Sequence, residues 1–385
     1  MRLSNDEIHQ KMLKNNCKYT LSWSKLNTFV EDPYSFYLKY VHNPRIPEEK
    51  QNSYAFLGDI VHSGLESFYA NTKTLEEVIS DFENKLIEQS NLQIKFVKDA
   101  EKNLKIEQNY YSCIKHFFKN YKRKSDKSQL EVFVGLKFGD YFMQGYIDHM
   151  YPDDNNNFLV IEDFKTSTLY SGEKIQQNSG QLKLYAYMIH KLYNIPLSKI
   201  KIGWNFLKYV AVDIKQKNGS VKESKILRNE LPDKLLTKLK TWGKHFKYSD
   251  DEIQEFYKIL KKNNDAYKDI NIFEGIPNEI AEKFNIHDCF VEISLNDKVL
   301  EDFINYIQEK IEEMSTKIAL YKTTKNEKLF WKEVDASNSF YFLNLCGYTA
   351  KNHLPLREYL EKISSFEGQE NKKIDDDIMN FLFNN

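Results

Sequence analysis

Leu159-Val160-Ile161-Glu162-Asp163-Phe164-Lys165-Thr166 is the stretch on which the fold turns. An apolar run of this length that ends in charge reads as a buried β-strand. Alternation places Leu159, Ile161, Asp163 and Lys165 on one face and Glu162 on the other. A carboxylate and an ammonium at the end of such a strand are expensive to bury without a partner or a task. Asp148 closes the preceding run Gly145-Tyr146-Ile147-Asp148, and the polar turn Asp153 to Asn157 joins the two runs as antiparallel neighbours. Such pairing can bring Asp148 to Asp163. Facing carboxylates repel unless a cation sits between them, and hard oxygen ligands suit Mg²⁺ or Mn²⁺. An isolated Asp-x-Lys is short and common, and alone it reads as a surface ion pair. The surrounding segments carry the case.

Working outward, Gln129–Phe138 and Tyr141–Tyr151 also alternate and read as strands, with a tight turn at Gly139-Asp140. Asn157–Thr166 is the third strand of the series. Gln181–Leu192 has the period of a helix and Lys199–Lys208 that of a strand. Val210–Ile226 completes a hairpin around Asn218-Gly219. On the N-terminal side, residues 1–20 form a polar, partly helical leader. Ser22 or Ser24 caps a helix through Lys25–Tyr40 that is turned near Pro33. Gly58–Ala70 is helical, residues 75–122 hold two longer helices, and 41–53 is a loop. From Asp233 onward the chain reads as mainly helical and Lys-rich, with an acidic tail at Asp375 to Asp377.

The chain has 385 residues, 41% hydrophobic and 29% charged, as in an ordinary globular protein. Its net charge of −1 calls for a local basic groove if the partner is a polyanion. Cys17, Cys113, Cys289 and Cys346 are too scattered for a disulfide framework, which fits a cytoplasmic protein. There is no apolar run of the signal-peptide kind and none approaching 18 residues, so neither secretion nor a membrane span is expected. No phosphate-cradling G-x-x-x-x-G-K-[ST] run occurs, so any motor would be a separate chain.

Taken in order, five segments resemble the PD-(D/E)XK nuclease superfamily, in its RecB-like branch. They are Leu21-Ser-Trp-Ser-Lys-Leu26 with Asp32-Pro-Tyr-Ser-Phe-Tyr-Leu-Lys-Tyr40, Gly58-Asp-Ile-Val-His62, Gly145-Tyr-Ile-Asp148, Asp163-Phe-Lys-Thr166, and Gln181-Leu-Lys-Leu-Tyr185. The resemblance spans about residues 20–210. It implies a restriction-endonuclease-like α/β fold: a mixed central sheet flanked and wrapped by helices, with a mainly helical C-terminal part. The expected organisation is a leader over 1–20, a nuclease core over 21–226 with a helical insertion at 71–128, and a helical region over 227–385.

The resemblance implies a Mg²⁺- or Mn²⁺-dependent nuclease that hydrolyses DNA phosphodiesters, as an exonuclease or DNA-end processor in recombination, repair or replication. Asp148, Asp163 and Lys165 would be catalytic. His62, Asp148, Asp163 and the Phe164 carbonyl would hold metal. Gln181 and Tyr185 would contact DNA or the catalytic lysine, and Lys122, Arg123 and Lys124, in a basic run, would track its backbone. Partners would be DNA and a separate helicase or recombination protein, with no membrane. A non-catalytic DNA-binding scaffold on the same fold, or a nuclease subunit of a helicase complex, are the alternatives. Glu131 reads as a solvated strand end and His149 as structural, while Trp23, Tyr34 and Tyr37 would stack on bases or pack in the core. Some relatives carry an iron–sulfur cluster on four cysteines. Here Asp32 occupies the first such position and only Cys346 stands in the C-terminal segment, so no cluster is expected.

Overall fold

A computed structural model describes residues 2–42, 53–97, 100–153, 157–266 and 271–331. The expected loop around Pro44 and Pro47, the Cys346 segment and the acidic tail lie outside them. Along the chain run α1 (Asn5–Lys14), β1 (Tyr19–Ser22), α2 (Trp23–Glu31), α3 (Pro33–Phe36) with a π-turn (Tyr37–His42), α4 (Ser53–Tyr69), α5 (Leu75–Asn91) and α6 (Ala100–Asn120). Then come β2 (Gln129–Phe138), β3 (Tyr141–Asp153), β4 (Phe158–Lys165), α7 (Glu173–Asn178), α8 (Gly180–Tyr193), β5 (Ile200–Lys215) and β6 (Val221–Leu227). The last described elements are α9 (Leu231–His245), α10 (Asp250–Ala266), α11 (Asn278–Ala281), β7 (Phe284–Ile293) and α12 (Asp297–Thr324). The strands form a mixed sheet in the order β1-β3-β4-β5-β6, with β2 on β3 and β7 on β5. This is the restriction-endonuclease-like arrangement expected from the sequence.

Two compact units divide the chain: residues 1–3, 53–134 and 146–297 in one, and 4–52, 135–145 and 298–385 in the other. In the first, β5 is the axis. Nearly every residue from Ile200 to Ile214 is buried, because β4 and β6 flank one edge and β7 the other. A strand covered on both edges and both faces is apolar throughout rather than alternating. Gly203 is required where β7 crosses closely: a Cβ there would lie 2.4 Å from the Phe290 ring and 2.7 Å from the Val291 carbonyl. One core packs Leu57, Val61 and Leu65 of α4 with α5 and α6 against Phe164 and Leu207. A second joins β5 and β6 to α9, α10 and α11. Within the first core, Gly64 lets α5 approach until a Cβ would sit 2.5 Å from Val78 Cγ1, and Thr74 and Glu77 close a capping box on α5.

The second unit shows the expected capping: the Ser22 hydroxyl accepts from the Lys25 amide at 3.2 Å. Asp32 ends α2 and caps α3, its carboxylate accepting from the Ser35 amide at 3.0 Å, with Pro33 at the first helical position. Tyr34 and Tyr37 are buried, and Trp23 packs on Phe303 at 5.8 Å, so these aromatics serve packing.

Three features differ from expectation. Lys199–Lys208 and Val210–Ile226 are not two segments on either side of a break, since one strand runs through to Lys215 and is irregular only between Asn205 and Val210. The region after Asp233 contains β7, whose partner β5 lies some eighty residues earlier, so no local hairpin signal announces it. The leader ends in β1, which is only four residues long and pairs with β3.

Candidate active site

The first unit gathers the candidate residues at the end of β4. The last antiparallel pair of β3 and β4 is His149 with Glu162; one step further, Asp148 and Asp163 come abreast. The Phe164 amide donates to Asp148 Oδ2 at 3.1 Å and ties the carboxylate to the neighbouring strand. On the opposite face His149 Nδ1 and Glu162 Oε2 form a fully buried pair at 2.6 Å. That places Glu162 in a structural role and His149 likewise.

Lys165 Nζ lies 2.5 Å from Asp163 Oδ2. The approach is off the hydrogen-bonding direction, which leaves this buried oxygen with an ion-pair neighbour and no hydrogen bond. Burial alone would lower the Lys165 ammonium, but the Asp163 charge outweighs it and holds the ammonium above its ordinary value. Tyr170 packs edge-on against Trp204 and Phe206 at 5.0 and 5.2 Å, and these two residues pair with Asp163 and Lys165 across β4 and β5. The pair therefore stands beside an aromatic wall.

Asp148 is pushed well above the usual carboxylate range, first by burial and then by the Asp163 charge. His62, on α4, places Nδ1 3.4 Å from Asp148 Oδ2. Burial keeps its imidazole neutral, below its ordinary value, against the opposing pull of Asp163. A neutral imidazole is the ligating form. Gln181 Nε2 donates to the Tyr185 hydroxyl at 3.1 Å. Burial raises that hydroxyl, and the charges of Asp148 and Asp163 raise it further, so it faces the acid pair.

The site has a second acidic layer. Glu131 is 7% exposed, not the solvated strand end expected of it, and its backbone takes φ of 51°. Its carboxylate binds Arg2 Nε at 2.6 Å, while Arg2 lies over the Tyr146 ring. Glu66 is raised by burial and by the Glu131 charge. The signal for Glu66 was in the sequence, one helical turn beyond His62 on the same face. Nothing local could have brought Arg2 here.

The basic run is engaged elsewhere in the same unit. Arg123 Nη2 donates to Asn71 Oδ1 at 2.6 Å and also to the Phe68 carbonyl, and Lys124 pairs with Asp288. Two of the three cations expected to track a backbone are thus held by protein acceptors. Lys122 lies beside them, exposed to an intermediate degree.

The donor set suits a hard divalent cation: two carboxylates that repel each other, a neutral imidazole, and a buried carboxylate oxygen without a hydrogen bond. His62, Asp148 and Asp163 do not bring their ligand atoms within 4.8 Å of one another; Asp213, Glu223 and His287 do, on neighbouring strands. That trio is mainly exposed, with Asp213 3.3 Å from His287, and has no ammonium placed as Lys165 is. The buried site is the better candidate for chemistry.

The model of the PD-(D/E)XK nuclease superfamily matches residues 20–325. Among solved structures, one named "Putative exonuclease", from Eubacterium rectale, is 12% identical, covers 75% of this chain and 90% of its own, and has a TM-score of 0.31. No curated relative matches the sequence. No helix of the described residues is long and apolar enough to cross a membrane.

Proposed function

We propose, since the chain belongs to the PD-(D/E)XK nuclease superfamily, that it is a divalent-metal-dependent deoxyribonuclease of the RecB-like branch that processes DNA ends. The buried Asp163–Lys165 pair beside Asp148 and His62 is the observation that carries this reading. The G-x-x-x-H spacing of Gly58 and His62 and the Q-x-x-x-Y pair Gln181 and Tyr185 support the branch.

Asp148, Asp163, His62 and the Phe164 carbonyl would hold Mg²⁺ or Mn²⁺, which when bound polarises a phosphoryl oxygen and lowers the pKa of an attacking water. Lys165 orients that water and steadies negative charge that develops on the phosphate. Its ammonium is fully charged at neutral pH, so it donates and does not act as a base in this state. Tyr185, held by Gln181, offers a protonated hydroxyl toward the same spot. The aromatic wall of Tyr170, Trp204 and Phe206 limits water on the Lys165 side and strengthens each of these interactions.

Purified protein should degrade linear DNA with Mg²⁺ or Mn²⁺, more readily than circular DNA, and Lys165→Ala should not. Equal degradation by both proteins would mean that the cutting belongs to another site or to a contaminant.

A further inference from the structure

Lys208 is a buried cation that the chemistry above does not use. It lies in β5 where the sheet is interrupted. The β4 ladder stops at Phe206, the β6 ladder starts at Tyr209, and the β7 ladder is irregular between Asn205 and Val210. Irregularities of this kind re-aim side chains and occur beside active sites. Lys208 is only 8% exposed. Among the described residues, no carboxylate pairs with it and no group accepts a hydrogen bond from it; its one neighbour of note is the face of Tyr110, with Nζ 5.5 Å from the ring centroid. A ring face returns on the order of 1 kcal/mol, less than burying an ammonium costs. Burial accordingly lowers its ionisation to about 8.

The same spot holds a second unsatisfied donor. The Tyr110 hydroxyl is buried without a hydrogen bond and lies beside Thr166, the residue after Lys165. Gly58, at the start of the histidine-bearing turn, passes within 3.8 Å of Thr166 Oγ1. Buried donors are nearly always satisfied, and exceptions point to an absent acceptor. Two of them adjoin the catalytic strand here, and both would be satisfied by one oxyanion.

We propose that Lys208 and Tyr110 form a phosphate subsite beside the catalytic strand, gripping the nucleic-acid backbone next to the scissile bond. The proposal rests on the nuclease reading and adds to it a contact outside the family's catalytic set. Lys208 meets its missing counter-charge only when the strand is bound, so its burial becomes favourable in the complex.

The test couples the protein to the substrate chemically. Wild type and Lys208→Met are compared by fluorescence anisotropy, with Ca²⁺ present, on oligonucleotides carrying one uncharged methylphosphonate at successive positions, with and without a terminal phosphate. Lys208→Met should weaken binding roughly ten- to a hundred-fold and reduce the salt slope by about 0.7–0.9. The loss should vanish when the contacted phosphate is already neutral: an internal position identifies a backbone phosphate, the terminal one an end phosphate. Its melting temperature should not fall, because an ammonium without an acceptor has been removed. Weakening that is the same on every oligonucleotide, or a lowered melting temperature with unchanged binding, overturns the subsite. Cleavage by wild type with Mg²⁺ is run in parallel, so that loss of the nuclease reading (no cleavage) is told apart from loss of the subsite (cleavage without coupling).

Discussion

Replacing Asp148 by asparagine separates the site's chemistry from its stability. The introduced carboxamide keeps an oxygen to accept from the Phe164 amide, as Asp148 does at 3.1 Å. It also gains an NH₂ group that can donate to the neutral His62 Nδ1, which lies 3.4 Å from the carboxylate. Only the buried negative charge beside Asp163 is lost. That charge opposes folding: the raised ionisation of Asp148 means its contribution is favourable at acid pH and is lost as pH rises through the folded-state value. Removing an active-site charge of this kind commonly stabilises by about 0.5–2 kcal/mol. With about 2.1 cal/mol/K of unfolding entropy per residue over 385 residues, the melting temperature should rise by roughly 1–3 °C without metal. Mn²⁺ at a hundred times its dissociation constant adds about 2.7 kcal/mol to wild type, roughly 3 °C, and should add far less to Asp148→Asn, which should also be inactive. Differential scanning calorimetry in EDTA and then with Mn²⁺ at about pH 7.5, where the carboxylates of unfolded chains are ionised, reads both numbers. A lower melting temperature for Asp148→Asn in EDTA, or equal stabilisation of both proteins by Mn²⁺, would refute the reasoning.

His116, buried against Asn264 at 3.0 Å, is depressed to about 3 by burial and by Arg228. Stability should therefore hold above about pH 6.5 and fall toward about pH 3 by up to about 1.4 kcal/mol per pH unit, and urea titrations should show a shallower slope for His116→Gln. Gly64→Ala drives a methyl into Val78 and should destabilise by about 1–3 kcal/mol, visible in the denaturant midpoint. Phe164→Ala empties a fully buried site and should lose about 3–5 kcal/mol, with cleavage falling further than the folded fraction does, as activity normalised to circular dichroism would show.

Much of this was legible because the signals are local. β2 begins and ends where alternation says it should, and the run ending in Asp163 and Lys165 is a strand because an apolar segment closed by charge has few other uses. The helix around His62 followed from Leu57, Val61 and Leu65 recurring at helical spacing. What escaped depends on distant partners. β7 alternates only loosely and is made a strand by β5. Glu131 is buried by Arg2, more than a hundred residues away, and the cations of Arg123 and Lys124 find Asn71 and Asp288. Charge density alone cannot tell a solvated basic face from one already neutralised by tertiary contacts. The Lys208 subsite depends on an interruption between three ladders, which no single segment encodes.

Phe164 links two jobs that are usually assigned to different residues. Its ring fills the core under α4 while its amide anchors Asp148, and the same ring lies between His62 and His149. A modest slackening of the interior at this one residue would shift an acid and an imidazole together. Loss-of-function variants should therefore arise among purely hydrophobic substitutions beneath the site as well as among its charged groups, and a screen limited to polar residues would overlook them.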